Sequence, residues 1–381
     1  MAIIGAGCAG LSLACALVGR ERRVVALEPR RQYAKDRTFC HWDVHPHPFG
    51  AAISHRWRRW LVRFQGREVV ASGRYQYCHI PGDAFYRLAL ERLAGAANVE
   101  LRLGWRVEAI AGPMADGRME VVADRGRILA HQVVDSRPPA WGPPASPPTQ
   151  GVHWVQHFVG YRLEANGPVF DPTTVTLMDF DVPQTHGIHF FYVLPFSATE
   201  ALVEATFFSP QPLDLDHYHR AIVDYCAQRF GLVLADCRLL ERERGAIPMT
   251  TEPLARPRGA AIPVGTNGGA VKPSSGYGFA AIQRHVPHLV AALEAHRPPP
   301  PPRERLPLAL DRIFLAFIQR YPARAPGLLF QLFERVEADR LVRFLSDAAT
   351  VGDYAAVMAA MPAGALTKEA LRSHRLWLAP A

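Results

Sequence analysis

Ala2-Ile3-Ile4-Gly5-Ala6-Gly7-Cys8-Ala9-Gly10-Leu11-Ser12-Leu13, followed by Arg23-Val24-Val25-Ala26-Leu27-Glu28, decides how this chain is built. A short apolar run meets a glycine turn, the turn opens an apolar helix, and a second apolar run ends on an acid. Gly5 permits the tight turn, Gly7 lets the backbone approach a pyrophosphate, and Gly10 lets the helix pack close to the strand. The N–H groups of the helix N-terminus favour phosphate. Glu28 then stands where a ribose hydroxyl is accepted, which argues against a 2′-phosphate. Strand, turn, helix and strand form half of a Rossmann unit and predict a parallel sheet with right-handed crossovers.

Working outward, Arg37 to Trp42 reads as a loop, Trp57 to Val70 as a strand pair, and Gly82 to Ala94 as a helix. Glu100–Arg102, Trp105–Ile110, Met119–Ala123 and Gln132–Val134 read as further strands, and the prolines of Pro138 to Pro148 as a loop leaving the sheet. Strand-like patterns return at Val155–Leu163, Thr173–Phe180, Ile188–Leu194 and Ala201–Phe207, ahead of an amphipathic helix from Asp216 to Phe230. A second glycine-rich loop, Gly265 to Gly278, runs into a helix. Pro298 to Pro302 make a stiff spacer of about 3.1 Å per residue, and the Leu- and Phe-rich remainder reads as helical. The expected fold is α/β, a Rossmann-type dinucleotide domain interleaved with a mostly antiparallel substrate-binding sheet and a helical C-terminal region. The expected division gives residues 1–150 and 242–296 to the cofactor domain and 151–241 to the substrate sheet. Residues 297–303 form the spacer and 304–381 the helical region.

The 381 residues are 49 % apolar and 20 % charged, the balance of a folded globular chain. Lys and Arg outnumber Asp and Glu by 43 to 35, a net charge of +8 that suits an anionic membrane surface. No basic block or nucleic-acid motif accompanies it, so no nucleic-acid partner is expected. The six cysteines lack metal-ligand or disulfide-framework spacing and read as reduced, in a cytosolic setting. No leader is expected ahead of the first strand, and no apolar run reaches the roughly 18–20 residues of a spanning helix. His41, His45, His47 and the pair His186 and His189 read as loop or solvent residues, and no metal site is expected.

The glycine fingerprint is common to NAD and FAD. The loop Gly265-Thr266-Asn267-Gly268-Gly269, with Lys272-Pro273-Ser274-Ser275-Gly276, resembles the second flavin motif of the FAD-dependent hydroxylase superfamily, with Thr266 where that motif carries Asp. Within that superfamily a narrower resemblance runs along most of the chain. Asp36-Arg37-Thr38-Phe39-Cys40-His41-Trp42, Asp135-Ser136-Arg137-Pro138 and Gln156-His157-Phe158-Val159-Gly160 resemble segments of the lycopene cyclases. So do Met178-Asp179-Phe180, Phe191-Tyr192-Val193-Leu194-Pro195, Gly245-Ala246-Ile247-Pro248-Met249 and Leu202-Val203-Glu204-Ala205-Thr206. In the last, Glu204 takes the place of the family's essential first glutamate, and Ala205 replaces the second.

The resemblance implies FAD in its reduced form, with NAD(P)H as external reductant, and lycopene or a related linear carotene as substrate. Gly5, Gly7, Gly10, Glu28, Arg37, Gly265, Gly268, Gly269, Lys272, Pro273 and Gly276 are the implied cofactor-binding residues, Arg37 also being placed to guard the entrance. Glu204 is the implied acid, with Asp179 a second candidate. Cyclisation needs a proton delivered to a terminal alkene, a cation shielded from water, and a proton removed afterwards, with no net redox change. Burial against apolar neighbours would hold Glu204 protonated. A bilayer-dwelling carotene further implies peripheral attachment to the inner face of the cell membrane. Two alternatives stay open at this point: a redox flavoenzyme of the hydroxylase or prenyl reductase kind, and a non-catalytic carotenoid- or flavin-binding protein.

Overall fold

The computed structural model of the chain describes residues 1–138, 151–252 and 261–373. All but the first residue of the proline loop expected at 138–148 lies outside them, as does the end of the expected C-terminal helical region. The chain opens with β1 (Ala2–Ile4), α1 (Cys8–Ala16) and β2 (Val24–Glu28), the predicted half-Rossmann unit. Next come β3 (Thr38–Trp42), β4 (His55–Phe64), β5 (Arg67–Pro81), α2 (Gly82–Leu93) and β6 (Val99–Leu103). A small meander, β7 (Val107–Ala111), β8 (Met119–Ala123) and β9 (Gly126–Ala130), leads to β10 (Val133–Asp135). The middle holds β11 (His153–Glu164), β12 (Thr174–Asp179), β13 (Ile188–Pro195), β14 (Glu200–Ser209), α3 (Leu215–Phe230), β15 (Arg238–Thr250) and β16 (Ile262–Pro263). Helices follow: α4 (Phe279–Glu294), α5 (Arg305–Arg320), α6 (Ala325–Arg335), α7 (Ala338–Leu345), α8 (Val351–Ala360) and α9 (Ala363–Arg372).

β16, β10, β1, β2 and β6 form a five-stranded parallel sheet in that order. β1 is buried along its whole length, as a parallel strand covered on both faces must be. α1 packs its apolar residues against α2 and α4 through Leu11, Leu13, Phe85, Leu289 and Leu293. Its buried Ser12 hydroxyl is satisfied by Gln283 Nε2 at 2.9 Å.

The second sheet has eight strands in the order β15-β11-β14-β13-β12-β4-β5-β3. Every pairing is antiparallel except β12 with β4. β14 is buried on both faces, with alternation deciding which side chain goes where. Ala201, Val203, Ala205 and Phe207 pack beneath α3, whereas Leu202 and Phe208 join the core shared with the C-terminal helices. The sheet curls far enough that its edges meet: Thr38 on β3 donates to Glu243 on β15, and Lys35 pairs with Glu241.

Two sequence expectations change here. Residues 38–42, read as a loop, are an edge strand, because Thr38–Trp42 pair residue by residue with Tyr77–Pro81. Strands β3 to β5, assigned to the cofactor domain, lie in the eight-stranded sheet, and so does β15 as far as Thr250. The cofactor sheet thus draws on more scattered segments than the sequence division implies. Among the described residues no helix is long and apolar enough to cross a membrane.

Candidate active site

A cavity of about 660 Å³ runs from the first glycine turn to the concave face of the eight-stranded sheet. At one end Gly5, Gly7, Cys8 and Ala9 line it, with Glu28, Arg30 and Arg37. Gly5 adopts φ +82°, and a Cβ on Gly10 would stand 2.0 Å from the Gly5 carbonyl oxygen. The third glycine is therefore a packing requirement, as read from the sequence, and does not itself touch the cavity. A Cβ on Gly7 would meet nothing nearer than Arg30 Nη2 at 4.0 Å, so backbone there faces open space. Among the described residues no side chain caps α1, which leaves its first N–H groups available to an anion.

Glu28 is buried and lines this end. Its carboxylate accepts from Ala6 N at 2.8 Å and, on Arg30, from N at 3.2 Å, Nε at 2.8 Å and Nη2 at 3.4 Å, so a ribose hydroxyl would take the place of one of the longer Arg30 contacts. The second loop closes the middle of the cavity with Gly265, Ser275, Gly276 and Tyr277. Two buried polar atoms along this stretch, Ser275 Oγ and Gln156 Oε1, have no hydrogen-bond partner among the described residues. Unsatisfied buried oxygens beside an uncapped helix and a carboxylate fit a dinucleotide with polar groups along its length. Gly268, Gly269 and Pro273 shape the loop without lining the cavity. Lys272 is also off the wall: it is buried between Asp311 at 2.7 Å and Asp347 at 3.5 Å. Arg303 pairs with the same two acids, so this cluster ties the loop to α5 and to the turn after α7.

At the far end the sheet sets four residues in a row across adjacent strands. Glu243 on β15 is opposite Gly160 on β11, Gly160 is opposite Glu204 on β14, and Glu204 is opposite Tyr192 on β13. Gly160 carries no side chain, so the carboxyls on either side reach each other over it within hydrogen-bonding distance. Each is anchored from outside: Thr206 Oγ1 donates to Glu204 Oε1 and Thr38 Oγ1 to Glu243 Oε2, both at 2.6 Å. Burial first, and then the charge of Glu243, hold Glu204 well above the usual carboxylate range, against the opposing Thr206 bond. Burial likewise raises Glu243, against the pull of Thr38. Beside the pair, Tyr192 donates to Tyr77 at 2.8 Å, and Tyr77 lies 2.5 Å from Tyr277. Phe158, Phe190 and Phe208 line the same cavity from the sheet, and Leu329, Leu332, Phe333 and Leu345 wall it from α6 and α7.

Asp179 is not brought to this site. It is fully buried on the α3 side of the sheet, where it accepts from Tyr225 Oη at 2.9 Å and pairs with Arg63 at 3.3 Å and Arg229 at 3.1 Å. Met178, its neighbour, takes the cavity side instead. Ala205 also points to α3, so the position of the missing second acid faces away from the cavity. His41, read as a loop residue, is buried on β3 with Nε2 3.0 Å from His47 Nε2. Burial, then His47 and Arg56, lower its pKa to about 3. His189 is likewise buried, inside β13. Sequence reasoning missed Glu243. Its available signal was the alternation of Glu241 and Glu243 ahead of Gly245, which places both acids on one face of a strand.

The dinucleotide cradle, joined to an apolar chamber with a buried carboxyl pair, sits in a mixed α/β fold similar to that of FAD-dependent oxidoreductases. Similar solved structures include a geranylgeranyl bacteriochlorophyll reductase-like protein of Thermoplasma acidophilum, 11 % identical, covering 98 % of each chain with a TM-score of 0.61. Another is p-nitrophenol 4-monooxygenase of Pseudomonas putida DLL-E4, 15 % identical, covering 98 % of this chain and 97 % of that one, TM-score 0.55. A variant of the halogenase PltM in complex with FAD, 13 % identical, covers 90 % of this chain and 77 % of that one at a TM-score of 0.52. Residues 1–371 match the lycopene cyclase protein family, and the chain belongs to that family. A lycopene beta-cyclase of Paracoccus sp. (strain N81106 / MBIC 01143) is 31 % identical over 256 residues, a match spanning 62 % of this chain and 62 % of that protein.

Proposed function

We propose that this chain is a lycopene β-cyclase, an isomerase that closes ψ end groups of lycopene, or of a related linear carotene, into β-ionone rings without net redox change. The observation that carries the reading is a carboxyl, Glu204, buried in an apolar chamber that opens onto a dinucleotide cradle and held by that burial above the usual carboxylate range. Membership of the lycopene cyclase family and the Paracoccus relative support the substrate.

Glu204 gives its proton to the terminal double bond, which leaves a tertiary cation. A nearby alkene of the same chain attacks that carbon and closes the ring, and loss of a proton from the ring restores neutrality. One O–H bond breaks and one C–H bond forms; then one C–H bond breaks, so substrate and product are isomers. The faces of Phe158, Phe190, Tyr192 and Phe208 stabilise positive charge, by about 0.5–2 kcal/mol for each well-placed ring. Leu332, Phe333 and Leu345 keep water from the cation. Gly5, Gly7, Glu28, Arg37, Gly265 and Gly276 would hold FAD, which in its reduced form would supply negative charge to the cavity. NAD(P)H is the external reductant of this reading, and the inner face of the cell membrane is where the enzyme meets its substrate.

The test is expression in a lycopene-accumulating bacterial host, with pigments resolved by chromatography and Glu204→Ala run in parallel. Conversion to γ- or β-carotene by the parent, with at least a 100-fold loss in a folded, flavin-loaded variant, is the expected result. Lycopene left unchanged by soluble, flavin-loaded parent refutes the reading. Stoichiometric NAD(P)H consumption with a reduced or hydroxylated product would identify a redox flavoenzyme instead.

A further inference from the structure

Glu243 stands outside the acid role given to Glu204, yet its surroundings are built as carefully. It sits on an edge strand, where a glutamate side chain ordinarily turns to water. Here it is turned inward over Gly160, with Thr38 from the opposite edge of the sheet fixing one oxygen at 2.6 Å. Glu204 is held the same way by Thr206 from its own strand. Each hydroxyl donates to a carboxyl from outside the pair, so the inner oxygens are left to face each other. Two buried carboxylates at hydrogen-bonding reach cannot both be ionised at low cost, whereas one proton between them gives a short, charge-assisted bond. Gly160 makes this possible: a Cβ there would stand 3.1 Å from Glu243 Cγ and 3.4 Å from its Oε1.

We propose that Glu204 and Glu243 share a single proton across Gly160, and that Glu243 is the positioning partner that keeps this proton on Glu204, facing the cavity. In the cyclase reading, on which only the fate of the proton rests, Glu204 releases it to the alkene while the partner carboxylate stays in place. The pair is then briefly dianionic opposite the carbocation. The proton lost from the ring returns to the pair, which ends as it began. No electron leaves or enters, and no second acid is needed.

The neighbouring groups fit a pair that holds one proton. From β3 come Thr38 and the Cys40 thiol, from β13 the Tyr192 phenol, and from the second cofactor loop the Tyr277 phenol, all neutral. The nearby charges are Glu241 on β15 and Lys35, which neutralise each other through a 2.5 Å ion pair.

The experiment uses the flavin-loaded full-length chain with E243Q, E243D and E204Q. The C=O stretch of a protonated carboxyl is followed by infrared difference spectroscopy between pH 5 and 9, with turnover measured over the same range. Expected are a protonated carboxyl band that persists above neutral pH in the parent and titrates at least tenfold lower in proton affinity in E243Q. Turnover of E243Q should fall about 100-fold with its alkaline limb moved to lower pH, and E243D should recover part of both. A band and a pH profile unchanged in folded E243Q overturn the proposal. A parent that shows the shared-proton band, sensitive to both variants, yet never converts lycopene, supports the pair and refutes the cyclase reading. A parent that converts lycopene with no such band supports the cyclase and overturns the pair.

Discussion

Gly160→Ala offers the sharpest probe of how the carboxyl pair is spaced. The new methyl would stand 3.0 Å from Leu202 Cδ1 and 3.1 Å from Glu243 Cγ. Non-bonded carbons rest about 3.5–4.0 Å apart, so each contact is short by about half an ångström or more. Leu202 is packed in the core, which leaves the Glu243 side chain as the group that moves. An O–H···O bond spans about 2.5–3.0 Å, and a shift of about half an ångström takes the pair out of that range. Overpacking of this kind costs about 1–3 kcal/mol. The reduced freedom of alanine in the unfolded chain offsets about 0.4–1 kcal/mol of it, since Gly160 has no positive φ to forbid the change. The expected variant is folded, flavin-loaded and about 1–2 kcal/mol less stable in urea. Its turnover of lycopene should nevertheless fall about 100-fold, more than such a stability loss can explain. Parental turnover with an unchanged alkaline limb in G160A would refute the claim that this glycine spaces the carboxyls.

Glu204→Gln tests the burial of the acid through stability alone. A carboxyl whose folded pKa lies above its unfolded value near 4.5 favours folding at low pH and loses that contribution as pH rises towards the folded value. The variant should therefore gain in Tm over the parent as pH climbs from about 4.5 to 8, and a difference independent of pH would contradict this. Ala205→Glu restores the residue type of the resembled motif but points it beneath α3, so the protein should lose several kcal/mol without gaining turnover; thermal unfolding and pigment analysis report both. Asp179→Ala leaves Arg63 and Arg229 without their buried acid and should cost about 3–5 kcal/mol in denaturant unfolding. Turnover per folded molecule should stay within about twofold of the parent, and a 100-fold loss would return Asp179 to the site.

What was legible in the sequence follows the range of the interactions involved. The glycine turn and Glu28 lie within 24 residues, and local pattern alone predicts their geometry. The orientation of Glu204 was also within reach, since Leu202, Glu204, Thr206 and Phe208 share one face by the two-residue period of a strand. Which face met the cavity depends on α3 and α6 lying on opposite sides of the sheet, a tertiary fact. Asp179 drew attention through a motif, yet one step along the strand put Met178 at the cavity and the acid among arginines. Glu243 could not be found as a partner, because a cross-strand neighbour is chosen by register, and a single sequence carries no pairing signal between residues 160 and 243. Strand β3 was missed for the same reason: its five residues become a strand only by pairing with β5.

The meeting of Thr38 with Glu243 also bears on the order in which the molecule is made. The two residues are separated by 205 positions, and nearly two-thirds of the chain must be synthesised before they can touch. Contacts of such long sequence separation form late, because the closure entropy of the intervening chain is met before any enthalpy returns. A nascent chain that ends before β15 has β11 as an open edge, with unpaired N–H and C=O groups able to recruit a strand from another molecule. Arrival of β15 therefore completes the proton-bearing pair and caps that edge in one event. Misfolded or truncated chains would be recognisable by aggregation well before they could be recognised by lost chemistry.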